Sequence, residues 1–490
     1  MAGLFTDPIA VAVNFGGNLG VASLSALRIS QGLHERTWWA NEQTICLRYR
    51  RNVSPAHETL EAVIDIQAWA NGRVLVEVTI ENCKLTGLEA PNATAPTSYS
   101  GRPITTPAAA SYTAAVVSVN GGVAMTLGVV SRGTRFNGAA IPVVGTDWPV
   151  LGFRNAPTTT PTTGDAYAVS GTEQSAASGA FAGQSGNLAT WDGVAWVFTA
   201  SAGAGQVAGP TGSVWPFVWT ATSWALAWPG THEALRSSYG KAWVNGDPGL
   251  RVTQLHTDLQ KHPLLFQIPE ASTFNMAGYA ADAYTPWSTG RQRASNMGGG
   301  GDHESIGPLP TWESRTLQSG DFRAWNATET SALACLGYNI NYRDTTTGAV
   351  PTFAAVGTRE HSIGSWPGLD PAGSGGGAMG WETAHCPAAG LMAFISRPSP
   401  VFIEIAQKAA FWNGTLTGSS NGSFTWSAGV FGHWYQTRGK AWGIRSLAHA
   451  AFLTPNADAW RTSCLVALRR NADLLDTFRT DTKNKLGLVW

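Results

Sequence analysis

The sequence predicts a multidomain α+β chain, with strands ahead of residue 305 and helices behind it. Three features carry that expectation. Two β-branched runs close around Asn-Gly turns in the first part of the chain. A Gly- and Trp-rich stretch near the middle breaks into short strands. From Pro310 the apolar residues switch to a 3.6-residue period. At 490 residues the chain is too long for one ordinary core. The shifts in pattern divide it at 1–153, the first part of an antiparallel β-sandwich; 154–201, a small inserted β module; 202–305, a return to the sandwich and a linker; and 306–490, a helical-hairpin domain with the character of an α/α toroid.

The first hairpin joins Ala62–Trp69 to Val74–Ile80 through Asn71-Gly72, and the second joins Tyr112–Val119 to Val123–Val130 through Asn120-Gly121-Gly122. Alternating runs around Asn-Gly are the strongest short-range hairpin signal. The Pro/Thr/Ser/Ala-rich stretch 90–110 between them reads as loop. Val214–Trp219 and Trp224–Trp228 read as buried strands that return the chain to the first sandwich. The Gly-rich segment 296–304 lacks the lysine and the strand–helix frame of a phosphate-binding loop.

Three helical hairpins follow. Trp312–Gln318 and a helix from Phe322 flank Ser319-Gly320-Asp321. Ala388–Ile395 and a helix opening at Pro400 flank Arg397-Pro398-Ser399. His433–Leu453 and a long last helix flank Thr454-Pro455-Asn456. Pro400 suits a first helical position, where a missing N–H costs nothing. In that helix Phe402, Ile405, Ala409 and Trp412 make an apolar stripe, while Glu404 and Lys408 pair at i,i+4 on another face. Such hairpins cannot bury their faces alone and must stack. Three are fewer than a closed toroid uses, so the ring is either open or completed by neighbouring copies.

Composition excludes several function classes. Lys plus Arg number 32 and Asp plus Glu 32, so the net charge is zero, and charged residues are only 13% of the chain, about half the usual share. A neutral, charge-poor chain lacks the basic field that nucleic acid or an anionic membrane surface requires. Disorder conflicts with 22 Trp, 18 Phe and 10 Tyr. The five cysteines are odd in number and widely spaced, so buried thiols are expected rather than a disulfide framework. The first residues carry Asp7 and Pro8 and no basic run, unlike a secretory leader. No apolar run of membrane-spanning length occurs. The histidines are scattered without HxH or HExxH, so no metal site is read, and no cofactor is implied.

The segment around 164–198 carries Gly164-Asp165, Tyr167 and Val169, then Gly179, Phe181, Ala182, Gly183, Gly186 and Ala189, and then Trp191, Gly193, Trp196 and Phe198. In order and spacing these resemble a small module that recurs in phage tail fibres and in the head spikes of gene transfer agents. The resemblance implies a virion appendage in contact with a glycan or receptor, with Trp191 and Trp196 as a stacking platform. The bland alternative makes both tryptophans the core of a tiny domain. The C-terminal half resembles the helical domain of phage virion proteins related to α/α-toroid polysaccharide lyases and glycosidases. It does so at Ile306–Trp312, Tyr342–Gly348, Ala384–Pro387 and Arg438–Ala451.

The candidate chemistry lies there too. Arg438, Trp442, Arg445 and His449 fall at i, i+4, i+7 and i+11, on one helical face. Arg forks bind carboxylates and Trp stacks on sugar rings, so this face suits an acidic sugar. Arg343 and Asp344 lie on a loop beside it. A lyase also needs a base and an acid, for which His385 or His449 and Tyr435 are the candidates. A glycosidase needs two facing carboxylates, drawn from Asp344, Glu360 and Glu382. The alternative is a structural face, with solvated arginines and a packed Trp442.

Two functional readings result. The first is a structural component of a phage virion tail (fibre, spike or tail-tip protein) that contributes to recognition of a host surface glycan. It would be made in the host cytoplasm and carried in the virion. Its partners would be other tail proteins and the host glycan, with no nucleic acid and no membrane insertion, and it would form a symmetric homo-oligomer such as a trimer. The alternative is a polysaccharide lyase or glycoside hydrolase acting on bacterial surface polysaccharide.

Overall fold

The computed structural model describes residues 9–15, 21–24, 34–54, 57–85, 110–111, 114–128 except 121, 152–154, 166–169, 180, 182, 188–191, 194–199, 206–208, 214–219, 224–226, 231–232, 235–244, 253–261, 265–269, 276–280, 282–284, 286, 290–291, 304–353 except 339, 381, 383–415 and 437–480. The chain is α+β. It divides into two compact units, one of residues 1–129 with 232–490, the other of residues 130–231.

In the first unit the longer strands are β1 (Val11–Asn14), β2 (Val21–Leu24), β3 (Arg36–Ala40), β4 (Thr44–Ser54), β5 (His57–Trp69), β6 (Val74–Asn82), β7 (Ala114–Val119), β8 (Gly122–Gly128) and β9 (Ser237–Val244), and Arg343–Asp344, expected on a loop, pairs parallel with Lys84–Leu85. They build a five-stranded antiparallel sheet in the order β9-β6-β5-β4-β3 and a four-stranded one in the order β8-β7-β1-β2. Both sequence-predicted hairpins are present. β5 and β6 meet with Asp65 opposite Glu77 and Ala68 opposite Val74. Gly72 in the connecting turn has φ +80, a conformation glycine adopts at no steric cost. β7 and β8 pair Val119 with Gly122, after Asn120 at φ 51. The long crossover back to the sheet is made by β9, which pairs along β6 from Ser237–Glu81 to Val244–Val74.

The period-two alternation splits the larger sheet into two unlike faces. Ile45, Leu47 and Tyr49 of β4, Leu60, Ile64 and Ile66 of β5, and Val76, Val78 and Ile80 of β6 point one way. They share one apolar cluster with Val11, Val13 and Phe15 from β1 and its end, and with Ala115 and Val117 of β7. The intervening residues Arg48, Glu61, Asp65, Gln67, Glu77 and Glu81 point the other way and are also buried.

The helices of more than one turn are α1 (Thr311–Ser319), α2 (Phe322–Ala334), α3 (Leu391–Ser396), α4 (Pro400–Thr415), α5 (Thr437–Leu453) and α6 (Ala459–Thr480). They form the three expected pairs. Asp321 caps α2, its side chain accepting from the Arg323 N–H at 2.8 Å. α3 is shorter than its pattern predicts, because the chain turns at Gly390 (φ +91), where a Cβ would collide with the Phe402 carbonyl. The helices and the sheet share a core. It joins Trp38, Cys46 and Tyr239 of the sheet to Leu333, Phe402, Ile405, Leu447, Ala450, Trp460 and Cys464. The helical half therefore does not stand apart from the strands; it packs on the polar face of the sheet. α4 is buried on all sides. Glu404 and Lys408 do not pair along a solvated face as their spacing predicts; each is drawn into the sheet's charged residues. All five cysteines are free and buried.

In the second unit, strands Gly152–Arg154, Ala166–Val169, Leu188–Trp191 and Trp196–Thr199 form one sheet. Its last two strands pair antiparallel with Trp191 opposite Trp196. Strands Gln206–Ala208, Val214–Trp219 and Trp224–Leu226 form a separate three-stranded sheet. The latter two pair with each other rather than with the sheets of the first unit.

Candidate functional site

Two polar regions of the first unit differ in how their charges are satisfied. The first lies between the five-stranded sheet and α4. Arg48 on β4 donates from Nε and Nη2 to both oxygens of Asp65, at 2.8 and 2.7 Å, and from Nη1 to Glu404. Arg343 donates to Glu404 at 2.9 and 2.6 Å, to both oxygens of Glu81, and to the Gly348 carbonyl at 3.1 Å. Lys408 donates to Glu81 and to Asn341 Oδ1, each at 3.1 Å. Three cations thus face three carboxylates, all out of water. Burial alone raises a carboxyl pKa, but Arg343 and Lys408 outweigh it at Glu81, and Arg343 and Arg48 do so at Glu404, so both stay ionised. Glu77 forms a neighbouring node that accepts from Tyr239, from Arg397 at 2.8 Å and from Ser399.

This network reaches the surface at a cavity of about 450 Å³. Its floor includes buried Arg48, Glu404 and Gly348, and its rim includes exposed Thr347, Ala457 and Ala459. Arg36 stacks 3.6 Å over the Trp38 ring and pairs with Asp458. Arg50 pairs with Glu61. Gly348 has φ +68, and a Cβ there would overlap the Arg50 guanidinium. Glycine adopts that φ freely and lets the loop close over Arg50 without displacing its guanidinium.

The second region is the face of α5. Arg438 lies 2.8 Å from His385 Nε2. Arg445 donates to the Cys386 carbonyl at 2.8 Å and to that of Gly307, and it lies 4.8 Å from the centre of the Trp442 ring. The Trp442 indole packs against the helical core. Next to Arg445 are Glu313 of α1 and His449. Burial pushes the Glu313 carboxyl up to about 8, against the pull of Arg445. Burial, with Arg445 adding to it, pushes His449 down to about 3. Glu313 Oε2, Arg445 Nε and His449 Nδ1 are buried and have no hydrogen-bond partner among the described residues. Perturbed titratable groups gathered in one place mark a candidate site.

The structure brings His385 beside Arg438 and gathers Arg445 with Trp442 and His449 along α5. It turns the arginines inward, toward His385 and backbone carbonyls. A ring held neutral as far down as His449 is a weak base at neutral pH, which argues against its use as the proton acceptor of a lyase. Arg343 is nearly inaccessible and its donors are taken, so it supports the fold rather than presenting a fork to a sugar. Asp344 accepts from the Thr346 and Thr347 N–H groups at 2.8 and 2.7 Å and shapes the 344–349 turn. Trp196 is partly buried and packs on Ala189, beside exposed Val194 and Val197. Tyr435, Glu360 and Glu382 lie outside the described residues. Glu313, Arg48 and Glu404 were not singled out by sequence as site residues. Among the described residues no group of His, Cys, Asp and Glu is placed to hold a metal ion. Compared with known protein families, curated proteins and solved structures, the chain matches none.

Proposed function

We propose that this chain is a structural component of a phage virion tail that contributes to recognition of a host surface glycan, alongside other tail proteins and as a homo-oligomer. In this reading the two sheets of the first unit are a β-sandwich, and the helical pairs are part of an α/α toroid that rests on it. The observation that carries the reading is the hairpin Leu188–Thr199. It aligns Trp191 with Trp196, leaves Val194 85% and Val197 49% exposed, and lies in the segment that resembles tail-fibre modules. Trp196, partly buried on Ala189, keeps part of its ring open, and aromatic side chains of that kind suit ring stacking at an interface. The inward turn of Arg438 and Arg445 supports a scaffolding role for the α5 face.

The second reading, a polysaccharide lyase or glycosidase, is favoured by one observation. Glu313, held protonated near neutral pH beside Arg445, has the protonation state of a general acid; at 1% exposed it reaches a sugar only if the packing around it opens.

One experiment separates the two. Purified protein is incubated with a panel of acidic and neutral bacterial surface polysaccharides. Bound glycan is read by pull-down, and new unsaturated or reducing ends by absorbance. Binding without new ends, weakened in Trp196→Ala, supports the tail reading. New ends that disappear in Glu313→Gln overturn it in favour of the enzyme. Neither binding nor new ends removes the glycan part of both.

A further inference from the structure

We propose that the cavity between β3, β4, the 344–349 turn and the start of α6 binds a neutral saccharide unit. The proposal deepens the tail reading above by naming a glycan site and its ligand class.

Size comes first. A space of about 450 Å³ falls within the range of small-ligand sites. The lining is polar and carries both signs of charge: Arg36, Arg48 and Arg50 against Glu35, Glu404 and Asp458. Each guanidinium already faces a carboxylate: Arg36 faces Asp458, Arg48 faces Asp65 and Glu404, and Arg50 faces Glu61. An incoming anion would therefore have to displace a buried carboxylate or add an uncompensated charge in a region of low dielectric. An incoming cation meets the same obstacle from the arginines. A hydroxyl meets neither. Each hydroxyl donates once and accepts twice, and a guanidinium and a carboxylate each retain capacity beyond their own ion pair. Alternating fixed donors and acceptors on a cavity wall therefore select a neutral, hydroxyl-rich molecule.

The groups are also held in place before any ligand arrives. Arg48 is fixed on both prongs by Asp65 and Glu404. Arg36 is sandwiched between the Trp38 ring and Asp458. Gly348 admits the close approach of Arg50. A preorganised wall loses little side-chain entropy on binding. Burial grades from floor to rim, which leaves an entry past Thr347, Ala457 and Ala459.

The test uses the full chain and saturation-transfer NMR with the methyl glycosides of glucose, galactose and N-acetylglucosamine, alongside those of glucuronic and galacturonic acid. Neutral glycosides are expected to bind, and the uronic acids to bind at least about tenfold more weakly. Ala457→Trp fills the mouth from an exposed position without removing a hydrogen bond, and is expected to abolish the signal. Ala459→Trp is the second plug should the first disturb folding, which circular dichroism reports. The proposal is overturned if no neutral glycoside binds, if the uronic acids bind equally well, or if a folded plugged variant binds as before. Polysaccharide pull-down that survives the plug removes this site and leaves the tail reading standing. Monosaccharide binding lost on plugging, in a protein that pulls down no polysaccharide, keeps the site and removes the glycan role of the tail reading.

Discussion

The two charged regions of the first unit use the same residue types to opposite effect. Between the sheet and α4, Arg48, Arg343 and Lys408 meet Asp65, Glu81 and Glu404, and nearly every donor finds an acceptor. At α5, Glu313, Arg445 and His449 gather with atoms left unpaired, and the carboxyl and imidazole respond by giving up their charge. Burial is common to both; what differs is the supply of counter-charge. Buried carboxyls with enough of it, as at Glu81 and Glu404, stay ionised and act as architecture. Without it, the carboxyl and the imidazole are driven to their neutral forms, and at Glu313 this leaves a group that titrates near working pH.

The largest effect is expected from breaking the saturated side. Arg343→Met leaves Glu81 and Glu404 short of their main partner in the interior, and removal of one member of a buried ion pair costs about 3–5 kcal/mol. Urea unfolding should show a large drop in midpoint or no folded protein. A loss below about 1 kcal/mol would mean that the remaining cations, Arg48 and Lys408, suffice, and that the network is redundant.

The unsaturated side should show itself through pH. Glu313 has a folded pKa of about 8 against an ordinary value of 4.5. Across that window the folded chain holds a proton that the unfolded chain releases, so stability is present at low pH and is lost as pH rises, by at most about 1.4 kcal/mol per pH unit. Glu313→Gln is expected to flatten this slope and to raise stability at pH 9 by about 1–2 kcal/mol. Urea midpoints at pH 5, 7 and 9 check it, and parallel slopes in variant and parent would remove Glu313 from the account. His449 works with the opposite sign. Its folded pKa of about 3 lies below the ordinary 6.5, so its contribution is present above 6.5 and is lost as pH falls. His449→Phe should therefore flatten only the acid limb, with a smaller effect because the residue is half-buried. Between pH 4.5 and 6.5 the two groups oppose each other, so the fall of stability with pH is shallower there than between 6.5 and 8.

This difference was only partly legible in the sequence. The β5–β6 hairpin announces itself because Asn71-Gly72 supplies the positive φ its turn needs. The helical pairs show because a 3.6-residue apolar period is local. The network does not show, because its members lie far apart: Arg343 and Glu81 are separated by 262 positions, and Arg48 and Glu404 by 356. Alternating polar residues on β5 and β6 have the pattern of a solvated face, and only α4, packed against them, makes them interior. The same ambiguity hid Glu404 and Lys408, whose i,i+4 spacing imitates a surface pair. The α5 face was found from helical spacing, but Glu313 was not. An acidic residue in a first turn has the pattern of a group placed to offset the helix dipole, and nothing local reveals that it is buried beside Arg445 of α5.

The smallest effect serves as the control on the whole comparison. Arg479 and Asp476 on α6 pair at 2.7 Å, a geometry as good as that of Arg48 with Asp65, yet both side chains are more than half exposed. If pairing geometry decided stability, Arg479→Ala would cost as much as a cut in the network. If burial decides it, water replaces the lost partner and the change stays within about 0.5 kcal/mol. Raised salt should shrink even that, since exposed pairs are screened within about 10 Å at 0.1 M, whereas the midpoint loss in Arg343→Met should persist in salt. A salt-insensitive loss of several kcal/mol in Arg479→Ala would show that close contact alone sets these energies, and the contrast between the two buried regions would lose its basis.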